Sequence, residues 1–167
     1  FGIVFNCRCV VLFTLLEIGE LLFREWALGL EGAHSLELAS GFFADVVGQE
    51  HVVRTLRNAI DADQVHHAYL FVGSRGTGKT SMAKMLAACL NCERGPTTDP
   101  CGVCDSCRSI AAATSLDVIE MDAASQRGID DVREIRERAV LQPVEGGYKV
   151  YIIDEAHQPT PQAWNAL

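Results

Sequence analysis

The sequence predicts an α/β fold, a parallel sheet sandwiched between helices, and three observations carry that expectation. From residue 41 onward, apolar runs of strand length alternate with amphipathic stretches of helix length. One such strand and helix are joined by Gly73, Ser74, Arg75, Gly76, Thr77, Gly78, Lys79 and Thr80, which fit the phosphate-loop pattern G-x-x-x-x-G-K-[ST] at every fixed position. A later apolar run ends in two acids, Asp154 and Glu155. The chain has 167 residues, 49% of them apolar, enough for one domain with a real core. Its formal charge of −8 and pI near 5.0 exclude a global basic field of the kind that advertises nucleic-acid binding.

Residues 1–40 differ in texture from the rest, with five acids, two basic residues and no motif. The opening apolar run is interrupted by Arg8 and followed by Glu17, Glu20, Arg24 and Glu25, so it falls short of a spanning helix of about 20 residues. It also lacks a basic leader and a small-residue cleavage site. Residues 1–40 are therefore left unassigned, as an amphipathic helical extension around 15–30 outside a domain of residues 41–167. A first residue Phe1 and a last residue Leu167 inside a helix starting near Thr160 suggest a fragment.

Within 41–167 the expected order is a helix over 52–62, a short buried strand over 68–72 and a helix over 81–90. An alternating strand over 116–121, a charged helix over 130–140 and an apolar strand over 148–153 follow. Strands alternating with helices mean a parallel sheet covered on both faces.

The phosphate loop needs each of its residue types. Glycines let the backbone wrap closely around phosphates, and the helix N-terminus adds its positive dipole end. Lys79 would reach the terminal phosphates, and the Thr80 hydroxyl would ligate Mg²⁺. The plain alternative, a Gly-rich turn that matches by accident, does not account for the strand before it and the helix after it. Asp154, 75 residues beyond Lys79, sits where ligands of open α/β sheets bind, at the carboxyl end of a strand. It would hold Mg²⁺, while Glu155 would orient and polarise an attacking water. Alone, the pair could be a solvated acidic turn. His157 beside it, and His66 and His67 before the loop strand, are read as non-ligands.

Seven cysteines with nucleotide-binding chemistry point to a reducing, cytosolic compartment rather than a disulfide scaffold. Cys92, Cys101, Cys104 and Cys107 form a C-x8-C-x2-C-x2-C series around a Gly- and Pro-containing loop. Four thiolates at these spacings suit structural tetrahedral Zn²⁺, with two disulfides or an iron–sulfur cluster as the alternatives. Cys89 reads as a core cysteine, and Cys7 and Cys9 are too remote to interpret.

With these residues in view, the stretch 41–167 closely resembles the N-terminal ATPase module of the bacterial DNA polymerase III gamma and tau subunits. The resemblance rests on residues 45–51 and 66–71, the Arg75-bearing loop, the knuckle at 101–107, and residues 122–125, 149–157 and 162–167. It implies an AAA+ P-loop NTPase, a parallel-sheet sandwich with a zinc knuckle inserted at 92–107. In such a module ATP and Mg²⁺ sit between neighbouring subunits. Val47, Gly48 and Gln49 would line the adenine pocket, residues 73–80 the phosphates, and Asp154 with Glu155 the metal and water; Lys79, Asp154 and Glu155 would be catalytic. Arg127 resembles a basic residue that restrains the catalytic glutamate until DNA arrives.

The implied function is a clamp-loader motor in DNA replication. Its partners would be delta-type and delta-prime-type subunits, further gamma/tau copies, a sliding clamp and primed DNA, with no membrane association. The chain departs from the family at Glu37 to Phe43, where a basic segment is usual, and at Gln158 and Pro159, where an apolar pair is usual. The sensors, arginine finger and helical lid that the family places downstream fall beyond Leu167, so the fragment alone would hydrolyse ATP very slowly. Two other classes compete: another AAA+ loader or helicase motor, which would lack the knuckle, and a non-catalytic zinc-stabilised scaffold, which intact Lys79, Thr80, Asp154 and Glu155 argue against.

Overall fold

A computed structural model describes residues 9–15, 43, 46, 48–74, 76–123, 125, 129–145 and 147–157. Its elements run β1 (Cys9–Leu15), α1 (Glu50–Asp61), β2 (Ala68–Val72), α2 (Lys79–Asn91), α3 (Asp105–Ala111), β3 (Val118–Asp122), α4 (Ile129–Ala139) and β4 (Lys149–Asp154). The four strands form one sheet in the order β2-β1-β4-β3, and every neighbouring pair is parallel.

Helices cover both faces of the sheet, as a parallel sheet requires. On one face Val10, Leu12, Val150 and Ile152 pack with Val53, Leu56 and Ile60 of α1, with α2, and with Ile110 of α3. The 53, 56, 60 spacing is one stripe of a helix, which is why α1 is amphipathic. By contrast α2 is buried nearly all round, from Met82 through Leu90 with one break, because it lies between the sheet and the other helices. On the opposite face Val11, Tyr151, Ile153 and Met121 meet Ile135 and Ala139 of α4.

Besides α3, a helix that the sequence reading did not expect within and after the cysteine series, two findings differ from that reading. The segment Cys9–Leu15, set outside the domain with the rest of residues 1–40, is an interior strand between β2 and β4, with Val11 opposite both Ala68 and Tyr151. Its run of apolar and β-branched residues suits a strand covered on two faces, but nothing local says which strands it joins. The helical extension expected around 15–30 lies outside the described residues. The second difference is β2, expected to be buried. Among the described residues it is an edge strand, and Leu70 and Val72 are more than half exposed, at 58% and 51%.

Asp117, just before β3, ties the loop preceding β4 to the sheet. It is 2% exposed, and its carboxylate oxygens accept from Val144 N and Glu145 N, each at 2.8 Å. Its own carbonyl accepts from Val150 N at 2.7 Å. Among the described residues no helix is long and apolar enough to cross a membrane.

Candidate functional site

The carboxyl end of β2 delivers the chain into residues 73–80, and α2 starts at Lys79. Gly78 stands at the helix N-cap with φ of 79°, a left-handed conformation that a side chain would strain. Thr77 Oγ1 donates to the Ser74 carbonyl at 2.9 Å and stiffens the loop from within. Lys79 Nζ donates to the same carbonyl at 2.7 Å, which folds the lysine back across the loop. The side chain of Arg75 lies outside the described residues.

The parallel arrangement puts the carboxyl ends of β2 and β4 on one rim of the sheet, separated by β1. Thr80 bridges that gap: its Oγ1 donates to Asp154 Oδ2 at 3.0 Å, across 74 positions of sequence. The second Asp154 oxygen accepts from Glu155 N at 2.9 Å. Glu155 adopts φ of 51°, an uncommon left-handed backbone for a non-glycine residue. Its Oε2 is buried without a hydrogen bond and lies 3.4 Å from His157 Nδ1. A strained acid with an unsatisfied buried oxygen, next to a second acid, is the kind of outlier that functional sites retain. Lys84 on α2 pairs with Glu120 on β3 at 2.8 Å and locks the helix over the sheet behind this rim.

Beside the loop is a cavity of about 440 Å³, whose wall includes Gln49, His51, Thr55, Tyr69, Gly73 and Lys79. Gln49 thus faces the same space as the phosphate loop. Gly48 does not line it; its N–H donates to Glu50 Oε1 at 3.1 Å. Backbone N–H groups, that of Glu50 itself and that of Gly48, hold the Glu50 carboxyl below its ordinary range. Val47 and Arg127 lie outside the described residues. His51, Thr55 and Tyr69 were missed in the sequence. The i, i+4 spacing of His51 and Thr55 after Gln49 is the signal that could have found the first two.

The four cysteines of the knuckle converge, and their Sγ atoms all lie within 4.8 Å of one another. Tetrahedral zinc–thiolate bonds of about 2.3 Å put sulfurs ~3.8 Å apart, so the residues present fit that ion. The thiols are free, not bridged. Backbone amides aim at the sulfurs: Cys101 N to Cys92 Sγ at 3.4 Å, Cys104 N to Cys101 Sγ at 3.3 Å and Cys107 N to Cys104 Sγ at 3.4 Å. Such N–H···S bonds favour thiolate, and amides of Val103 and Cys104 bring Cys101 down to about 6. Burial pushes the Cys107 thiol up, a shift that a bound dication reverses because the thiolate is the ligand. His66 instead makes an edge-on contact with Tyr69, ring centroids 6.0 Å apart, and the His67 carbonyl accepts from Val11 N at 2.8 Å.

The sequence profile of the family described as "DNA polymerase III, delta subunit" matches residues 48–167. The chain belongs to that family. Curated relatives of this delta-subunit-family chain are gamma and tau subunits, in agreement with the resemblance read from its motifs. "DNA polymerase III subunit gamma/tau" of Mycobacterium bovis is 58% identical over 127 residues, 75% of this chain and 22% of the relative. "DNA polymerase III subunit tau" of Escherichia coli is 51% identical over 125 residues, 75% of this chain and 19% of the relative. The Bacillus subtilis tau subunit is 51% identical over 125 residues, 75% and 22% respectively. This family member therefore spans about a fifth of the length of the relatives it matches. Strand β1 precedes the residues that the family profile covers.

Proposed function

We propose that the chain carries the ATP-binding and hydrolysing motor module of a bacterial replicative clamp loader, an AAA+ P-loop NTPase. The observation that carries this reading is the Thr80–Asp154 hydrogen bond of 3.0 Å, which brings a loop hydroxyl and a strand-end carboxylate to one point. Two hard oxygen donors of this kind suit Mg²⁺. When bound, the ion supplies neutralisation of charge on phosphate oxygens.

The chain's own residues do the rest. Backbone N–H groups of residues 73–80 and the head of α2 hold the triphosphate. Lys79 exchanges the Ser74 carbonyl for phosphate oxygens, a stronger, charge-assisted partner. Glu155 orients and polarises the attacking water with its carboxylate and takes up its proton as it attacks in line. By the family resemblance Val47, Gly48 and Gln49 would border the adenine, Gln49 lining the cavity beside the loop, and Arg127 would restrain Glu155. Cys92, Cys101, Cys104 and Cys107 hold a structural zinc.

In the whole protein, ATP binding closes a ring formed with delta-type and delta-prime-type subunits and further gamma/tau copies. The ring opens a sliding clamp and grips primed DNA in the cytoplasm, and hydrolysis releases the clamp. The test uses the full-length subunit in its assembly. Lys79→Ala is expected to lose nucleotide binding, whereas Glu155→Gln keeps binding and loses turnover by about 10²–10⁴-fold. A Glu155→Gln assembly that hydrolyses ATP at the parental rate would sink the mechanism.

A further inference from the structure

The turn that follows β4 brings two ionisable side chains together. In a strand, residues i and i+2 share a face but stand about 7 Å apart. Here the left-handed φ of 51° at Glu155 ends the strand, and residues 155–157 form a turn. Ala156, 4% exposed, seats that turn in the buried cluster that holds Val11, Tyr151 and Ile153. His157 Nδ1 then lies 3.4 Å from Glu155 Oε2. The uncommon backbone at Glu155 thus has a structural result, since it folds residue 157 back onto residue 155.

The two acids at this rim are held differently. Asp154 is fixed at both oxygens, Oδ1 by Glu155 N at 2.9 Å and Oδ2 by Thr80 Oγ1 at 3.0 Å. Glu155 has no such pair of donors. Its Oε2 is buried and makes no hydrogen bond among the described residues, and the imidazole of His157 is its ionisable neighbour. A solvated pair of glutamate and histidine would mean little. This oxygen has given up water, however, and a buried acceptor without a donor is costly. An approach closer by about 0.5 Å would give Nδ1–H and Oε2 ordinary hydrogen-bond geometry.

Because Oε2 is buried, a water that meets this carboxylate must meet Oε1. The direction in which Oε1 points is set by whatever holds Oε2. We infer that His157 is a positioning residue for Glu155: its Nδ1–H holds Oε2 and thereby aims Oε1 at the attacking water. The inference rests on the motor reading, in which Glu155 is the base, and adds the group that orients it. His157 acts only through the carboxylate. The role needs a donor at the Nδ1 position and no change of charge, because the neutral Nδ1–H tautomer and the doubly protonated ring both donate there.

The experiment uses the full-length subunit in its assembly and separates binding from turnover. His157→Ala is expected to lower kcat by roughly ten- to a hundred-fold, the scale on which a misplaced group loses catalysis. The Kd for a fluorescent ATP analogue and the melting temperature should stay at parental values. His157→Asn, whose side-chain amide nitrogen falls where Nδ1 stood, should restore most of the rate, and His157→Gln, whose amide falls nearer the Nε2 position, should not. In a Glu155→Gln background His157→Ala should change nothing further, because the base it orients is gone. A parental kcat for His157→Ala, with Glu155→Gln inactive, would overturn the positioning role and leave the motor reading standing. Loss of kcat matched by weaker nucleotide binding or a lower melting temperature, or no rescue by asparagine, would make His157 structural and overturn the role as well. A Glu155→Gln assembly at the parental rate would remove the motor reading and the positioning role with it.

Discussion

The Lys79 ammonium donates to the Ser74 carbonyl at 2.7 Å, a neutral acceptor on its own loop that a phosphate oxygen outcompetes by charge. The presence of that lysine was legible in the sequence, because the loop pattern fixes residue types; its resting partner was not, because rotamers answer to their surroundings. The same holds for Glu155, named from its place after an apolar strand, whose left-handed φ of 51° is visible only in the fold. Cys89 shows the reverse, a residue whose environment could be read correctly from its helix. It is fully buried, and burial, with the nearby Cys92, pushes its thiol from 9.0 up to about 12. The unfolded chain then ionises this thiol first, so its contribution to stability is complete below pH 9 and is lost as pH rises towards 12. Urea midpoints of the parent are expected to fall more steeply over that window than those of Cys89→Ala. Parallel pH profiles would show that Cys89 contributes nothing to the slope.

Among the elements, helices α1, α2 and α4 and the acid-bearing strand were the easiest to read, since a stripe at 53, 56 and 60 or an unbroken apolar run is written in a short window, whereas the short helix α3 was not expected. The role of Asp117 was not legible. In sequence it looks like one polar position in an alternating strand, but its carboxylate takes up Val144 N and Glu145 N, 27 and 28 positions away. Asp117→Ala would leave two part-buried N–H donors without their acceptor and free the loop that feeds β4, at a cost of about 1–3 kcal/mol. Chemical denaturation measures this directly, and a loss near zero would mean that water replaces the carboxylate. The edge position of β2 is a second case. Its five residues read as a buried strand from composition alone, yet burial depends on what lies over the second face, where Leu70 and Val72 are exposed.

For the molecule as a whole, the decisive arrangement is a phosphate-loop strand and an acid-bearing strand held apart by β1 and joined over the top by Thr80 and Asp154. If β1 is integral, Leu12→Ala, at a site with 0% exposure, should destabilise the chain by about 2–5 kcal/mol. A calorimetric change within error of zero would return residues 1–40 to the status of a detached extension. The knuckle is a second whole-molecule device, since it connects α2 to α3 where no apolar core of its own can form. One zinc per chain is expected by elemental analysis, and Cys104→Ser should lose it together with a large drop in melting temperature, because such sites supply on the order of 10 kcal/mol of apparent folding free energy. A metal-free chain with unchanged stability would count against the zinc reading. By itself the sequence determined the chemistry that lives in short windows: the loop of residues 73–80, the acids at 154 and 155, the four cysteines, and the periodicities of the elements around them. Only the tertiary structure decided that residues 9–15 fill the middle of the sheet and that Thr80 meets Asp154. The physical reason is that periodicity and turn chemistry act over a few neighbouring residues, whereas strand order and cavity walls are chosen by competition among distant segments for the same buried surface.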